Sequence, residues 1–211
     1  MPIFCKYSDI SSTIAIWKVE ESVDELRALL SDFSFYEEGY ARISSDKRKL
    51  EWLAVRVLLK ELCGEEKEIA YHPSGKPYLA DGDAFISISH TQGYVAVAYS
   101  KCHEVAVDIE QYGTRVKRVA HKFIREDEQV SIQAGNEIYA MLLHWSAKET
   151  MFKLMDESGV DFREHLHIHP FVPSSEGVME AEEYLTDRNQ HFQISYLTHP
   201  EYVLTYTIKL S

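Results

Sequence analysis

Asp108 and Glu110 stand two residues apart in Val105-Ala106-Val107-Asp108-Ile109-Glu110. Apolar residues alternate with the acids, the pattern of a half-buried strand. Side chains at i and i+2 leave the same face of a strand, so both carboxylates enter one space. Crowded carboxylates repel each other and lose hydration, and a shared cation keeps them ionised. Oxygen ligands from one or two carboxylates suit Mg²⁺, which keeps several waters and takes further ligands from phosphates. The competing expectation is an edge strand whose solvent face is acidic.

Two further stretches carry charge at telling intervals. In His144-Trp145-Ser146-Ala147-Lys148-Glu149-Thr150-Met151-Phe152-Lys153-Leu154, the residues Trp145, Glu149 and Lys153 recur every four positions and form one row on a helix. A plain Glu–Lys pair beside a core aromatic accounts for this and is worth about 0.2–0.5 kcal/mol. The sharper expectation is that Glu149 completes the Asp108/Glu110 metal site and Lys153 holds a phosphate. In Arg115-Val116-Lys117-Arg118-Val119-Ala120-His121-Lys122-Phe123-Ile124-Arg125-Glu126, helical spacing predicts one face with Lys117, His121 and Arg125, flanked by Arg118 and Lys122. Such a cationic cluster in an acidic chain predicts a docking surface for an acidic partner.

The elements that must position these groups follow from local pattern. Thr13–Val19 is rich in β-branched and aromatic residues and predicts a strand. Ser22-Val23-Asp24-Glu25 is a capping-box sequence that starts a helix to about Leu30. A longer helix is predicted from about Ser44 to Leu62, with Leu50, Leu53, Val57 and Leu58 as its core stripe. Arg48 and Arg56 lie two turns apart on it and project from a similar face, either into a site or simply into solvent. His72-Pro73-Ser74-Gly75-Lys76-Pro77-Tyr78-Leu79 predicts a stiff loop in which Gly75 allows close backbone approach and Lys76 supplies a cation. Ile86–Thr91 and Tyr94–Tyr99 predict a hairpin around Gln92-Gly93, with Ser89 and His90 at the end of its first strand. That Ser-His pair is not a hydrolase: no G-x-S-x-G elbow is present, and adjacent strand residues face opposite ways. From Phe162 onward the chain reads as β-rich. His165, His167 and His169 alternate on one predicted strand face and raise a zinc reading, which a single short strand supports poorly.

At 211 residues and 45% hydrophobic, the chain can bury the core of one domain or of two small ones. No apolar run approaches a membrane span. Met1-Pro2-Ile3-Phe4-Cys5-Lys6 lacks the pattern of a signal peptide. Cys5, Cys63 and Cys102 are odd in number and form no CxxC, which predicts reduced thiols and a cytoplasmic protein. The net charge of −12 leaves no excess of cations to release counterions from nucleic acid, which argues against a general nucleic-acid binder.

In this order, Gly75-Lys76-Pro77, Ile88-Ser89-His90-Thr91, Val107-Asp108-Ile109-Glu110 and Trp145-Ser146-Ala147-Lys148-Glu149 through Lys153 resemble the 4′-phosphopantetheinyl transferase superfamily. The resemblance is close over about residues 70–155 and looser over the arginine helix before them. The length is similar to the pseudo-dimeric branch that activates peptide synthetases. The resemblance implies an α+β fold of two similar halves, residues 1–103 and 104–211, with the active site in the cleft between them, and a monomeric protein. It implies Mg²⁺-dependent transfer of 4′-phosphopantetheine from coenzyme A to a serine of an apo carrier protein, with release of 3′,5′-ADP. By the same resemblance Asp108, Glu110 and Glu149 are the metal ligands and Glu149 is the base, acting directly or through a water. Lys76, Ser89, His90, Lys148 and Lys153 fall among the cofactor contacts, with Arg48 or Arg56 at the 3′-phosphate. The Lys117–Arg125 cluster would dock the acidic helix of the carrier. Ala106 stands where the family usually has Gly, and Ile86 and Ser87 where it has an aromatic and an Asn. None of the three carries a charge that the chemistry needs. A non-catalytic coenzyme A or carrier-binding module of the same fold is the alternative.

Overall fold

The computed structural model describes residues 4–8, 11–131 and 135–209; the opening Met1-Pro2-Ile3 lies outside them. The chain divides into two compact units, Met1–His103 and Glu104–Ser211. Both combine helices with antiparallel sheet, an α+β architecture.

In the first unit, β1 (Cys5–Ser8), β2 (Thr13–Lys18), α1 (Val23–Ala28), α2 (Glu37–Ala41) and α3 (Asp46–Cys63) precede the hairpin β3 (Ile69–Tyr71) and β4 (Pro77–Leu79). The strands β5 (Phe85–Thr91) and β6 (Tyr94–Ser100) close the unit in a sheet of order β1-β2-β6-β5. The capping box forms as its sequence requires: Ser22 Oγ accepts from Glu25 N while the Glu25 carboxylate accepts from Ser22 N. Leu53, Val57 and Leu58 on α3 are buried against Trp17, Val95 and Val97 of the sheet. Gly64 ends α3 in the left-handed conformation, φ 77°, that glycine adopts without steric cost.

The second unit runs β7 (Val105–Gln111), α4 (Val116–Val119), α5 (Glu137–Met155), α6 (Phe162–His165), β8 (Leu166–Ile168), β9 (Glu176–Glu183), β10 (His191–Thr198) and β11 (Tyr202–Ile208). Its sheet has the order β7-β11-β10-β9-β8, antiparallel throughout. The long α5 packs on β7 and β11, and its core side chains Leu143, Ala147, Met151 and Leu154 join Ile194, Tyr196 and Val203.

The structure corrects three expectations. β7 lies at the sheet edge but is not half exposed, since every residue from Val105 to Ile109 is buried. The predicted basic helix over 117–125 is only the four-residue α4 followed by a short 3-10 turn at Ala120–Lys122. Lys117, His121 and Arg125 therefore do not share a helical row. His165 belongs to α6 and not to a strand, and its Nδ1 accepts from Asp161 N at 2.9 Å. Among the described residues, no helix is long and apolar enough to cross a membrane.

Candidate active site

Asp108 is an acid in a buried strand, so its charge must be compensated locally. One oxygen, Oδ1, accepts from Lys153 Nζ at 2.8 Å, and the same ammonium donates to the Val107 carbonyl at 3.0 Å. The other, Oδ2, accepts from Ser146 Oγ at 2.8 Å. Behind Ser146 a chain of hydroxyls continues to Thr205 Oγ1 at 2.8 Å and on to Thr150 Oγ1 at 2.7 Å. Thr205 sits directly opposite Asp108 in the β7–β11 ladder. All three hydroxyl residues are buried, and a satisfied buried network of this kind holds its members in one geometry.

Above Asp108 runs the row that the four-residue spacing on α5 predicts. Trp145 Nε1 donates to Glu110 Oε1 at 2.6 Å, Lys153 grips Asp108, and Glu149 lies between them. Burial pushes the Glu149 carboxyl up to about 7, Asp108 adds to the rise and Lys153 opposes it. Glu110 is likewise pushed up to about 7, by burial first and then by Asp108, with the Trp145 hydrogen bond opposing. Three carboxylates thus share a partly buried space with one ammonium. Fully ionised, they would leave two negative charges uncompensated, the charge of one divalent cation, and their donors are all oxygen. The set fits Mg²⁺ by charge and by ligand type. Among the described residues, Asp108, Glu110 and Glu149 do not form a group at metal-ligand spacing; Lys153 holds Asp108 and Trp145 holds Glu110.

In the first unit a cavity of about 480 Å³ opens beside α3. Arg42, Arg48 and Arg56 line it with Tyr71, Gly75 and His90. Its volume lies in the range of small-molecule sites. Arg56 is buried: Nη1 donates to the Trp52 carbonyl at 3.1 Å, and the guanidinium stacks 3.2 Å from the centre of the Trp52 ring. Burial pulls its pKa down to about 10, and Tyr71 and Tyr36 oppose that fall. The solvent-facing alternative is therefore wrong for Arg56, whereas Arg48 is exposed at the rim. Glu51 supplies the acid that partly offsets the arginines and lies 3.4 Å from His90 Nε2. Guanidinium groups around a concave space have the charge and donor geometry to take an anion.

The comparison with known proteins bears on the second unit. Residues 104–207, which contain Asp108, Glu110, Glu149 and Lys153, match the family model described as the 4′-phosphopantetheinyl transferase superfamily. The chain belongs to this superfamily. It is also similar to the 4′-phosphopantetheinyl transferase gsp of Aneurinibacillus migulanus, 30% identical over 82 residues, 37% of this chain and 34% of that protein. The chain therefore covers about a third of the length of the curated transferase it matches.

Other positions that the superfamily resemblance singles out are placed less uniformly. His90 lines the cavity, as do Ile88, Gly75 and Pro77, but Ser89 is not part of the lining. It alternates to the opposite face of β5 and is buried there. Lys76 sits in the turn of the β3–β4 hairpin, between the lining residues Gly75 and Pro77, with Gly75 at φ 91°. Lys148 contradicts its assignment as a cofactor contact. It is wholly buried, and its ammonium donates to Phe123 O at 2.6 Å, Glu128 Oε2 at 2.9 Å and Phe162 O at 3.1 Å. No donor remains to reach a ligand. The cationic cluster is also smaller than predicted. Lys117 is paired with Glu137 at 2.6 Å. Arg125 is held by Asp127 and by the Glu164 carbonyl. Arg118, His121 and Lys122 are the exposed remainder.

Sequence reasoning missed Ser146, Thr150 and Thr205, and the aromatic seat of Arg56. Ser146 and Thr150 carry a readable signal, since polar residues at i and i+4 on a mostly apolar helix face need a shared partner.

Proposed function

We propose that the protein transfers 4′-phosphopantetheine from coenzyme A to a serine hydroxyl of an apo carrier protein and releases 3′,5′-ADP. The observation that carries this reading is the convergence of Asp108, Glu110, Glu149 and Lys153 within a segment that matches the superfamily. Asp108, Glu149 and Glu110 would hold Mg²⁺, which supplies neutralisation of charge on the pyrophosphate leaving group. Lys153 adds a movable cation at the same phosphates, released from Asp108 as the site fills. Glu149 accepts the serine proton as the serine oxygen bonds to phosphorus and the bond to the 3′,5′-ADP oxygen breaks. Arg56 and Arg48 bind the 3′-phosphate of coenzyme A, and Lys76 and His90 contact its adenosine and phosphate portion. The network Ser146–Thr205–Thr150 fixes the Asp108 carboxylate so that its orientation costs nothing during the reaction.

Two units in a single chain, each with a long helix on antiparallel sheet, support the pseudo-dimeric branch and action as a monomer. Three free cysteines suit a cytoplasmic working place. Arg118, His121 and Lys122 would dock the carrier. An acidic enzyme can bind an acidic carrier because a local cationic patch acts within a Debye length of about 8 Å, beyond which the repulsion is screened.

The test is intact-mass spectrometry of apo carrier proteins from fatty-acid, polyketide and peptide synthetases, incubated with enzyme, coenzyme A and Mg²⁺. Addition of one phosphopantetheine group to the carrier, abolished by Asp108→Ala and by Glu149→Ala, is the expected result. Coenzyme A binding without any adduct on any carrier would establish the binding-module alternative instead.

A further inference from the structure

On one face of the second unit's sheet, three adjacent strands bring imidazoles around one carboxylate. Glu182 of β9 pairs directly with His167 of β8 on one side and with His191 of β10 on the other. His169, two residues beyond His167, continues along the same face, with its backbone N–H donating to Glu180 O at 2.9 Å. His167 Nδ1 lies 3.3 Å from Glu182 Oε1, and His169 Nε2 lies 3.5 Å from the same oxygen. His191 Nδ1 is 3.9 Å from Glu182 Oε2. One ligand atom each of His167, His169 and Glu182 fall within 4.8 Å of one another, the group among the described residues with that property.

We propose that His167, His169 and Glu182 form a site for a zinc-class divalent ion, with His191 or a water completing the coordination. Bonds of about 2.0–2.1 Å to a tetrahedral ion put neighbouring ligand atoms about 3.4 Å apart, close to the two observed spacings to Glu182. The objection that one short strand cannot surround an ion falls away, because Glu182 and His191 come from the neighbouring strands. Imidazole nitrogen with a single carboxylate suits zinc, copper or nickel and disfavours Mg²⁺, which takes oxygen. This ligand set is therefore orthogonal to the all-oxygen set at Asp108.

The surroundings fit a bound ion. Tyr184 OH donates to Glu182 Oε1 at 2.5 Å and lies 3.2 Å from His167 Nδ1, so it orients the carboxylate. The His167 and Glu182 side chains are 14% and 18% exposed and His169 is 42% exposed, an enclosed pair with an open side for entry. β8 is a three-residue edge strand. An ion spanning β8 and β9 would clasp that edge, giving the site a structural role independent of the transferase reading.

The experiment uses the full chain, stripped with a chelator and titrated with Zn²⁺ against a chromophoric competitor in excess Mg²⁺. One zinc ion per chain is expected, together with a rise in thermal midpoint on zinc addition. Co²⁺ in its place should show the intense visible bands of tetrahedral nitrogen-oxygen coordination. His169→Ala and Glu182→Gln should each weaken zinc binding by at least about 10- to 100-fold, whereas His165→Ala should leave it unchanged. Circular dichroism of the metal-free variants, expected to match the parent, separates loss of ligand from loss of fold. Failure of the parent to compete for zinc, or parental affinity in both His169→Ala and Glu182→Gln, overturns the proposal.

Discussion

Replacing Lys148 by Met tests whether this lysine serves the fold or the cofactor. Met approximates the aliphatic stem and removes the ammonium. The Glu128 carboxylate is left with the Ile168 and Arg125 backbone N–H donors but without the ammonium that pairs with it, at 0% side-chain exposure. The carbonyls of Phe123 and Phe162 lose a donor as well. Burial already pulls the Lys148 ammonium pKa down, with Glu128 opposing, so the pair is balanced only while both members are present. Stranding one partner of a buried ion pair costs about 3–5 kcal/mol. At about 2–4 °C per kcal/mol for a chain of this size, the thermal midpoint should fall by about 6–20 °C. Differential scanning calorimetry provides the measurement, with the Michaelis constant for coenzyme A determined well below the new midpoint. Lys148→Met/Glu128→Gln, which removes the stranded charge, should recover a large part of the loss. An unchanged midpoint combined with a raised Michaelis constant for coenzyme A would refute the structural assignment and restore Lys148 to the cofactor site.

Other outcomes follow from the same geometry. Arg56→Lys keeps the charge but loses the planar stack on Trp52, so the Michaelis constant for coenzyme A should rise about 10- to 100-fold, the loss of a charged hydrogen bond, with little change in kcat; steady-state kinetics decide it. Arg118→Glu/Lys122→Glu should raise the Michaelis constant for the carrier several-fold and steepen no dependence on coenzyme A, an effect that must shrink at high salt. Burial raises the Glu183 carboxyl, but bonds from Thr186, Gln190 and Leu185 outweigh it and hold the pKa below its ordinary 4.5. Its stabilising contribution is therefore present above pH 4.5 and is lost as pH falls through the lower folded value. Urea unfolding of the parent and of Glu183→Gln should differ at neutral pH and converge in acid; a difference that persists undiminished in acid would refute this.

Much of the site is legible from residue spacing because spacing is a local quantity. The row Trp145, Glu149 and Lys153 is set by the pitch of one helix, and the shared face of Asp108 and Glu110 by the pleat of one strand. Capping at Ser22 and the β5–β6 hairpin are also local. What sequence could not supply is contact across the chain. Lys148 lies one residue before Glu149, yet about 100° around the helix, which aims it at Glu128 twenty residues earlier. The helix expected through Arg125 stops at Val119, while Arg125 is held by carbonyls 38 and 39 residues away. His165, His167 and His169 look alike in sequence, and only the registers of β9 and β10 show that Glu182 and His191 join two of them.

Trp145, Glu149 and Lys153, three of the groups proposed to act on the phosphates or to steady those that do, ride on the single rod α5. A helix advances about 1.5 Å per residue, so a slip of one residue along its axis would misplace Trp145, Glu149 and Lys153 together. The Lys148–Glu128 pair, about 100° around the helix from Glu149, ties α5 to the segment that precedes it. Under the proposed reaction, the alignment of these groups is a property of one helix, and whatever displaced that helix would displace all three at once.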